Sequence, residues 1–337
     1  MKFLFSNILL LLFLFCSCVQ NNKPATEEWT LRTPNGISVQ TVNIDTMELS
    51  NPFIYLDRDN LVYYMTGDGG YVWTSKNMRI WNGPYNVLQY DTLMWIGNNP
   101  IVESPEIHKY KGRYYYFATF TRPDVVIDNV NGKDIERRSC HIFVADSVQG
   151  PYKPLYADEP LLRADHATQG ATFCVDEYGT GYLIYSHDWR QRKDGTVQII
   201  MLSKEFNMQI GEPYIMFRAS EKMWDDIKGG DSPQMDGPFI FKTGEEEVGM
   251  LFATEVDGEN VLGVAYSETG HGLDGPWHIE HQPFLTGGYG QAMIFNDFDG
   301  TSLMVLHKDT VIDNKRKCVP QIMEIDTQYE RLKIKRY

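Results

Sequence analysis

The apolar positions of this chain fall in short runs, many rich in aromatic and β-branched residues, that are separated by Gly, Asp and Pro turns. Such runs predict β-strands, and no stretch of comparable strength follows the 3.6-residue period of a helix. The runs are organised into a repeated unit. Asn51-Pro52-Phe53-Ile54-Tyr55 leads to a turn at residues 57–60, then Leu61-Val62-Tyr63-Tyr64-Met65 and Tyr71-Val72-Trp73-Thr74-Ser75, and closes on Gly83-Pro84-Tyr85. A second copy begins at Ser104-Pro105-Glu106-Ile107 and closes on Gly150-Pro151-Tyr152, and a third runs from Gly170-Ala171-Thr172-Phe173 to about Gly211. The fourth starts at Asp236-Gly237-Pro238-Phe239-Ile240 and closes on Gly275-Pro276-Trp277. A more worn fifth copy has Gln291-Ala292-Met293-Ile294-Phe295, a turn at residues 297–300, Leu303-Met304-Val305-Leu306 and Pro320-Gln321-Ile322-Met323.

A single small sheet cannot cover both of its faces, whereas sheets ringed about an axis bury every face against a neighbour. Five units therefore predict an all-β, five-bladed propeller over residues 37–337. The alternating segment 37–44, ahead of the first unit, is expected to close the ring against the last blade. The first strand of each blade would line a central funnel. Its leading residues, Asn51, residues 103–106, Gln169, Asp236 and Gln291, would then be neighbours in space although they are far apart in sequence.

The first residues do not follow this pattern. Met1-Lys2 precedes an apolar run over residues 8–15, shorter than the roughly 20 residues that span a bilayer, and the chain turns polar after Cys18. Ser17-Cys18 resembles a bacterial lipobox. It predicts a signal over residues 1–17, lipidation of Cys18, a tether over 18–36, and a monomeric protein held at the cell envelope, periplasmic or at the surface. A formal charge of -14 disfavours nucleic acid as a partner. Cys140, Cys174 and Cys318 have no paired short spacing, so neither a disulfide framework nor a zinc site is indicated, and three buried thiols are expected, with one disulfide as the alternative. The 20 Tyr and 7 Trp suit both sheet cores and the stacking of sugar faces.

The segments Asn51-Pro52-Phe53-Ile54-Tyr55-Leu56-Asp57 and Ser104-Pro105-Glu106-Ile107-His108-Lys109-Tyr110 resemble glycoside hydrolase family 43, the arabinanase- and xylosidase-type propellers. Phe217-Arg218-Ala219-Ser220, Asp236-Gly237-Pro238 and Gly275-Pro276-Trp277 extend the resemblance over nearly all of the chain after its N-terminal segment. It implies hydrolysis of glycosidic bonds, usually with inversion, by carboxylates in the funnel. A base precedes the first-blade proline, a carboxylate at the third-blade start tunes the acid, and the acid comes from the fourth blade. One group must hold a proton near neutrality and another must lack one, at a separation of about 6.5–9.5 Å that admits a water. Burial and neighbouring negative charge keep the acid protonated.

At the matching positions this chain carries Asn51, Gln169 and Asp236. An amide can neither take a proton from water nor raise a neighbour's pKa by repulsion. Galactan-acting branches of the family resemble this chain in carrying a Glu ahead of the second-blade proline, here Glu103, and an amide at the fifth-blade start, here Gln291. The expectation is that Asp236 is the general acid and that Glu103 or Glu106 tunes it or activates water. Gln291 or Asn51 positions that water, and Gln169 contributes to substrate binding. Each acid also has a structural alternative. Glu106 could bond backbone N–H groups of an adjacent loop, and Asp236 could serve the local hydrogen bond of an Asp-Gly turn.

His187 and Trp189, after the second strand of the third blade, are expected to form a sugar-binding wall, with Trp95, Trp224 and Tyr289 as further candidates. A Ser186-His187-Asp188 triad is excluded, because adjacent strand residues point to opposite faces. The family often holds a central ion through a fifth-blade His, a place close to Gln291, so no functional metal and no cofactor are expected. An exo-acting glycosidase on an arabinose- or galactose-containing glycan is the leading expectation. A glycan-binding propeller without catalysis is the alternative.

Overall fold

A computed structural model describes residues 37–156, 159–221, 234–244, 247–268, 272–273, 275–312, 314–328 and 331–336. The signal, Cys18, the tether and Trp224 lie outside the described residues. The strands form five antiparallel sheets, one for each sequence repeat. Blade 1 contains β1 (Gln40–Asn43), β2 (Phe53–Asp57), β3 (Val62–Thr66), β4 (Val72–Ser75) and β5 (Ile80–Tyr85). Blade 2 contains β6 (Ile101–Tyr110), β7 (Arg113–Val130), β8 (Lys133–Ala145) and β9 (Lys153–Pro154). Blade 3 contains β10 (Thr168–Val175), β11 (Gly181–His187), β12 (Thr196–Leu202) and β13 (Gln209–Arg218), with the single-turn helix α1 (Trp189–Arg192) between β11 and β12. Blade 4 contains β14 (Asp236–Lys242), β15 (Val248–Val256), β16 (Glu259–Ser267) and β17 (Trp277–Ile279). Blade 5 contains β18 (Tyr289–Asn296), β19 (Ser302–Ile312), β20 (Lys315–Asp326) and β21 (Lys333–Arg336).

The two-residue period of a strand explains why this sequence closes into a wheel, because consecutive residues supply opposite seams. In β7, Tyr116 packs toward blade 1 with Tyr64 and Val72, while Tyr115 and Phe117 pack toward blade 3 with Phe173 and Leu183. Ile184 then joins Met250 and Phe252 between blades 3 and 4, and Leu251 joins Tyr289 and Met304 between blades 4 and 5. The last seam brings Met293, Phe295 and Val305 of blade 5 against Ile54, Met65 and the fully buried Trp81 of blade 1.

That last seam corrects one expectation. Among the described residues, segment 37–44 does not hydrogen-bond to the last blade; β1 pairs with β5, from Gln40 opposite Gly83 to Asn43 opposite Ile80, as a fifth strand on the outer edge of blade 1. Apolar packing between faces, supplemented by the Leu49 N–H bond to the Cys318 carbonyl, closes the ring. The three cysteines are free, but only Cys140 is fully buried; Cys174 and Cys318 are partly exposed.

Each inner strand of blades 2 to 5 carries a bulge near its start, where the register shifts between Glu103 and Glu106, Gln169 and Thr172, Asp236 and Phe239, and Tyr289 and Ala292. A bulge bends the strand and redirects the side chains beside it. Ser104, Gly170 and Gly237 occupy these bulges in the left-handed region, at φ 49°, 56° and 56°, and Asn51 takes the same conformation at 49° in blade 1. Register thus makes Glu103, Gln169 and Asp236 equivalent, with Tyr289 as the fifth-blade counterpart. Asn51 lies one position further along, beside Ser104.

Candidate active site

The left-handed residues at the mouth of the wheel are joined from blade to blade. The Asn51 N–H donates to His307 Nδ1 at 3.0 Å, the Ser104 N–H to Asp68 Oδ1 at 2.9 Å, and the Gly170 N–H to Thr119 Oγ1 at 3.1 Å. His307 therefore carries its proton on Nε2 when neutral, and burial lowers its pKa to about 4. Ser104 Oγ donates to Gln291 Oε1 at 2.7 Å, which bridges blades 2 and 5 across the hub. Asn51 Nδ2 donates to both carboxylate oxygens of Asp68, at 3.0 and 3.1 Å.

A cavity of about 260 Å³ opens at this hub, with Asn51, Asp236, Gln291, Trp189, His307 and Asn260 among the residues of its wall. Asp236 is partly exposed there, and its pKa is raised to about 7. Burial is the main cause, and the negative charges of Glu103 and Asp188 add to it. The Gly237 N–H, 2.7 Å from Asp236 Oδ1, and the Arg138 guanidinium oppose the rise. The local bond of an Asp-Gly turn is thus present, and burial outweighs it.

Arg138 organises the carboxylates beside Asp236. It donates to Thr121 Oγ1 at 2.8 Å and to Gln169 Oε1, and it lies 3.5 Å from Glu103 and 3.7 Å from Asp188. Asp188 caps α1 through the Arg190 N–H and also pairs with the Arg190 side chain, 2.6 Å away. The region is therefore neutralised by two arginines without losing the repulsion that acts on Asp236.

The family description Glycosyl hydrolases family 43 matches residues 44–327. The chain belongs to glycosyl hydrolases family 43. No curated protein matches it by sequence. An endo-arabinase from Bacteroides thetaiotaomicron VPI-5482 superposes with a TM-score of 0.72 at 25% identity, covering 89% of this chain and 100% of that one. An endo-1,4-beta-xylanase from the same organism gives 0.68 at 15% identity, over 89% and 97% of the two chains. An exo-1,5-alpha-L-arabinanase from a bovine ruminal metagenomic library gives 0.60 at 14%, over 86% and 97%. The last two likenesses speak to the fold alone. Family 43 membership makes the chain a glycosidase, of the class that hydrolyses O-glycosyl bonds.

Within this family 43 hub, the candidate residues separate into two groups. Asp236, Asn51, Gln291 and Trp189 share the cavity, and Glu103 acts on Asp236 through its charge. Gln291 has only its Oε1 engaged among the described residues, which leaves Nε2 for a ligand. Gln169 is buried against Arg138, and its Nε2 has no partner among the described residues.

Glu106 lies on the far side of the bulge from Glu103, and this corrects its place in the chemistry. It is 2% exposed and accepts from Thr172 Oγ1 at 3.1 Å and the Phe173 N–H at 3.4 Å, with His108 Nε2 at 2.7 Å. It thus ties blade 2 to blade 3 and is not part of the cavity wall. His187 is likewise removed from a sugar-binding wall: it is buried, its Nε2 lies 3.0 Å from Gln191 Oε1 and its ring lies 4.4 Å from that of His166. Trp95 donates to His141 in the core, and Tyr289 is 1% exposed within the seam between blades 4 and 5.

Sequence reasoning did not single out Asp68, Arg138, Asp188 on its own, or His307. All lie at or next to the second or third strand of a blade, which returns to the mouth beside the bulges. Asp68, within Gly67-Asp68-Gly69-Gly70, reads as a turn residue. Its place opposite Ser50 could have been found by tracing where β3 must end. His307, Asp309 and Cys318 are the one group of three metal-type donors among the described residues. Their own bonds occupy them: His307 Nδ1 accepts from Asn51, and Asp309 pairs with Arg316 and accepts from Asn260 and Cys318. The donor set therefore does not fit a metal without dismantling that network.

Proposed function

We propose that this family 43 chain removes terminal sugars from an arabinose- or galactose-containing glycan, with Asp236 as the general acid. The observation that carries the reading is a carboxyl group at a small hub cavity whose pKa is pushed up to about 7, so that it holds a proton near neutral pH. Protonation of the leaving oxygen is the step for which such a group is suited. Glu103 keeps the proton on Asp236 by repulsion, while Arg138 holds Glu103 in place. Trp189 supplies an aromatic face and Gln291 and Asn51 supply polar contacts to a sugar in the cavity. The endo-arabinase among the similar structures, 25% identical to this chain, supports an arabinose-containing substrate.

The test is turnover of arabinan, galactan and xylan oligosaccharides and of aryl glycosides by the parent and by Asp236→Asn. The substitution should abolish release from natural glycans and spare release of a dinitrophenyl group, which leaves without a proton. Equal rates for both proteins on a natural glycan would remove Asp236 from the mechanism. Asn51 and Gln169, amides where charge is usual, favour a second reading as a glycan binder without turnover. Thermal stabilisation by a glycan that no preparation cleaves would establish it. Residues 1–36 support attachment at the cell envelope through a lipid on Cys18. Mass spectrometry of the purified chain and of Cys18→Ala tests the lipid.

A further inference from the structure

We infer that Asp68 is the general base of this site, taking over from the amide at position 51. The inference rests on the reading of Asp236 as the acid at the same hub. Asn51 stands where a carboxylate would take the proton from water, and its Nδ2 points at a carboxylate that comes from elsewhere in the same blade, Asp68, 3.0 and 3.1 Å from the two oxygens. The carboxylate thus stands just after β3 and not just ahead of β2, and the Asp68 N–H bond to the Ser50 carbonyl holds it beside Ser50 and Asn51 of the cavity wall.

A structural duty alone does not account for a carboxylate here. Asp68 receives the N–H of the left-handed residue of blade 2, Ser104, at 2.9 Å. In blade 2 the equivalent position is Thr119, and its hydroxyl receives the N–H of Gly170 in blade 3 at 3.1 Å. A neutral hydroxyl thus suffices to join neighbouring blades. Asp68 remains partly exposed, and its hydrogen bonds from Asn51 and Ser104 leave lone pairs open to water. Burial, with a contribution from the Glu103 charge, raises its pKa to about 6 against the bonds from Ser104 and Asn51. A carboxylate in that range is ionised at neutral pH and is a better proton acceptor than an exposed one.

A water oxygen bonds to the anomeric carbon while one of its protons passes to the Asp68 carboxylate. The bond from that carbon to the leaving oxygen breaks, its electron pair stays on the oxygen, and the Asp236 proton completes the departing hydroxyl. One water is consumed; Asp68 ends protonated and Asp236 ionised, and exchange with solvent restores both.

The experiment compares Asp68→Asn and Asp68→Thr with the parent on dinitrophenyl glycosides, with and without sodium azide. Asp68→Thr copies the hydroxyl of Thr119, so it keeps the bond between blades if the asparagine variant disturbs it. Both variants should lose kcat by roughly 100-fold or more, melt as the parent does, and regain turnover with azide, forming a glycosyl azide. Asp68→Thr with kcat near that of the parent would overturn the inference, and so would a loss that azide does not relieve. Asp236→Asn separates this from the acid reading. If that variant keeps full rate on natural glycans while the Asp68 variants behave as described, the acid reading falls and the base stands. A parent inactive on every glycoside would overturn both.

Discussion

Oδ1 of Asp236 occupies the space that a β-carbon on Gly170 would need, so the third blade is glycine at its bulge because the fourth blade places its acid there. Gly170 also sits at φ 56°, where a side chain costs about 1–2 kcal/mol. Gly170→Ala should therefore displace the Asp236 carboxyl as well as strain the backbone. The expected outcome is a fall in kcat of about 100-fold, the scale of an ångström misplacement, with a stability loss of about 1–3 kcal/mol. Steady-state kinetics beside denaturant unfolding checks it; an unchanged kcat would mean that the carboxyl does its work from another position.

The pH dependence follows from two carboxyls with opposite requirements. Asp236, with its pKa raised to about 7, must be protonated, so activity falls as pH rises through that value. Asp68, raised to about 6, must be ionised, so activity falls as pH drops through that value. The profile of kcat/KM should be a narrow bell with its maximum between pH 6 and 7. Loss of the acid-side limb in Asp68→Thr with azide present, and of the alkaline limb in Asp236→Asn on a dinitrophenyl glycoside, would assign each limb to its group.

The same burial makes Asp236 a stability cost at neutral pH. Its folded pKa lies above the unfolded value of 3.8, so the folded state binds more protons, and the contribution is fully present below pH 3.8 and lost as pH rises through about 7. Asp236→Asn removes the titration. Its melting temperature should exceed that of the parent by a few degrees at pH 8, and the difference should shrink or reverse at pH 4. Parallel melting curves at the two pH values decide this, and a constant offset would contradict it.

Much of the wheel is legible in the sequence because its physics is local. Runs such as Leu303-Met304-Val305-Leu306 must bury both faces, and turns such as residues 57–60 mark where strands reverse. Asp236 and Gln291 are legible too, since they stand beside recognisable strand starts. Glu106 and Glu103 look alike in sequence, only three residues apart, and what separates them is a bulge whose register shift depends on the next strand. Asp68, Arg138 and His307 escape for a related reason: their roles come from which strand end returns beside which neighbour. The edge position of β1 was equally hidden, because alternation marks a strand without naming its partner.

Glu103 and Arg138 pull the Asp236 proton in opposite directions, which gives a signed pair of outcomes. Glu103→Gln removes repulsion, so Asp236 ionises at lower pH and the alkaline limb of the profile moves down. Arg138→Met removes attraction, and the limb moves up. Arg138 is 15% and Glu103 30% exposed, so breaking their contact should cost about 2 kcal/mol, less than a fully buried pair. Limbs that both move the same way would show that the charges reach Asp236 through a structural change instead.

Glu106 supplies the complementary case, a carboxylate whose loss should be felt in stability and not in chemistry. Its bonds to Thr172, the Phe173 N–H and His108 lie in the seam between blades 2 and 3, beneath the mouth. Glu106→Gln keeps a carbonyl acceptor but removes the charge that strengthens those bonds, each worth about 1.5–3 kcal/mol when charged. The variant should unfold at lower denaturant by about 1–3 kcal/mol while kcat/KM stays within a few-fold of the parent. A large loss of kcat without a change in unfolding would return Glu106 to the reaction, and would require a path for its charge from the seam to the cavity past Glu103.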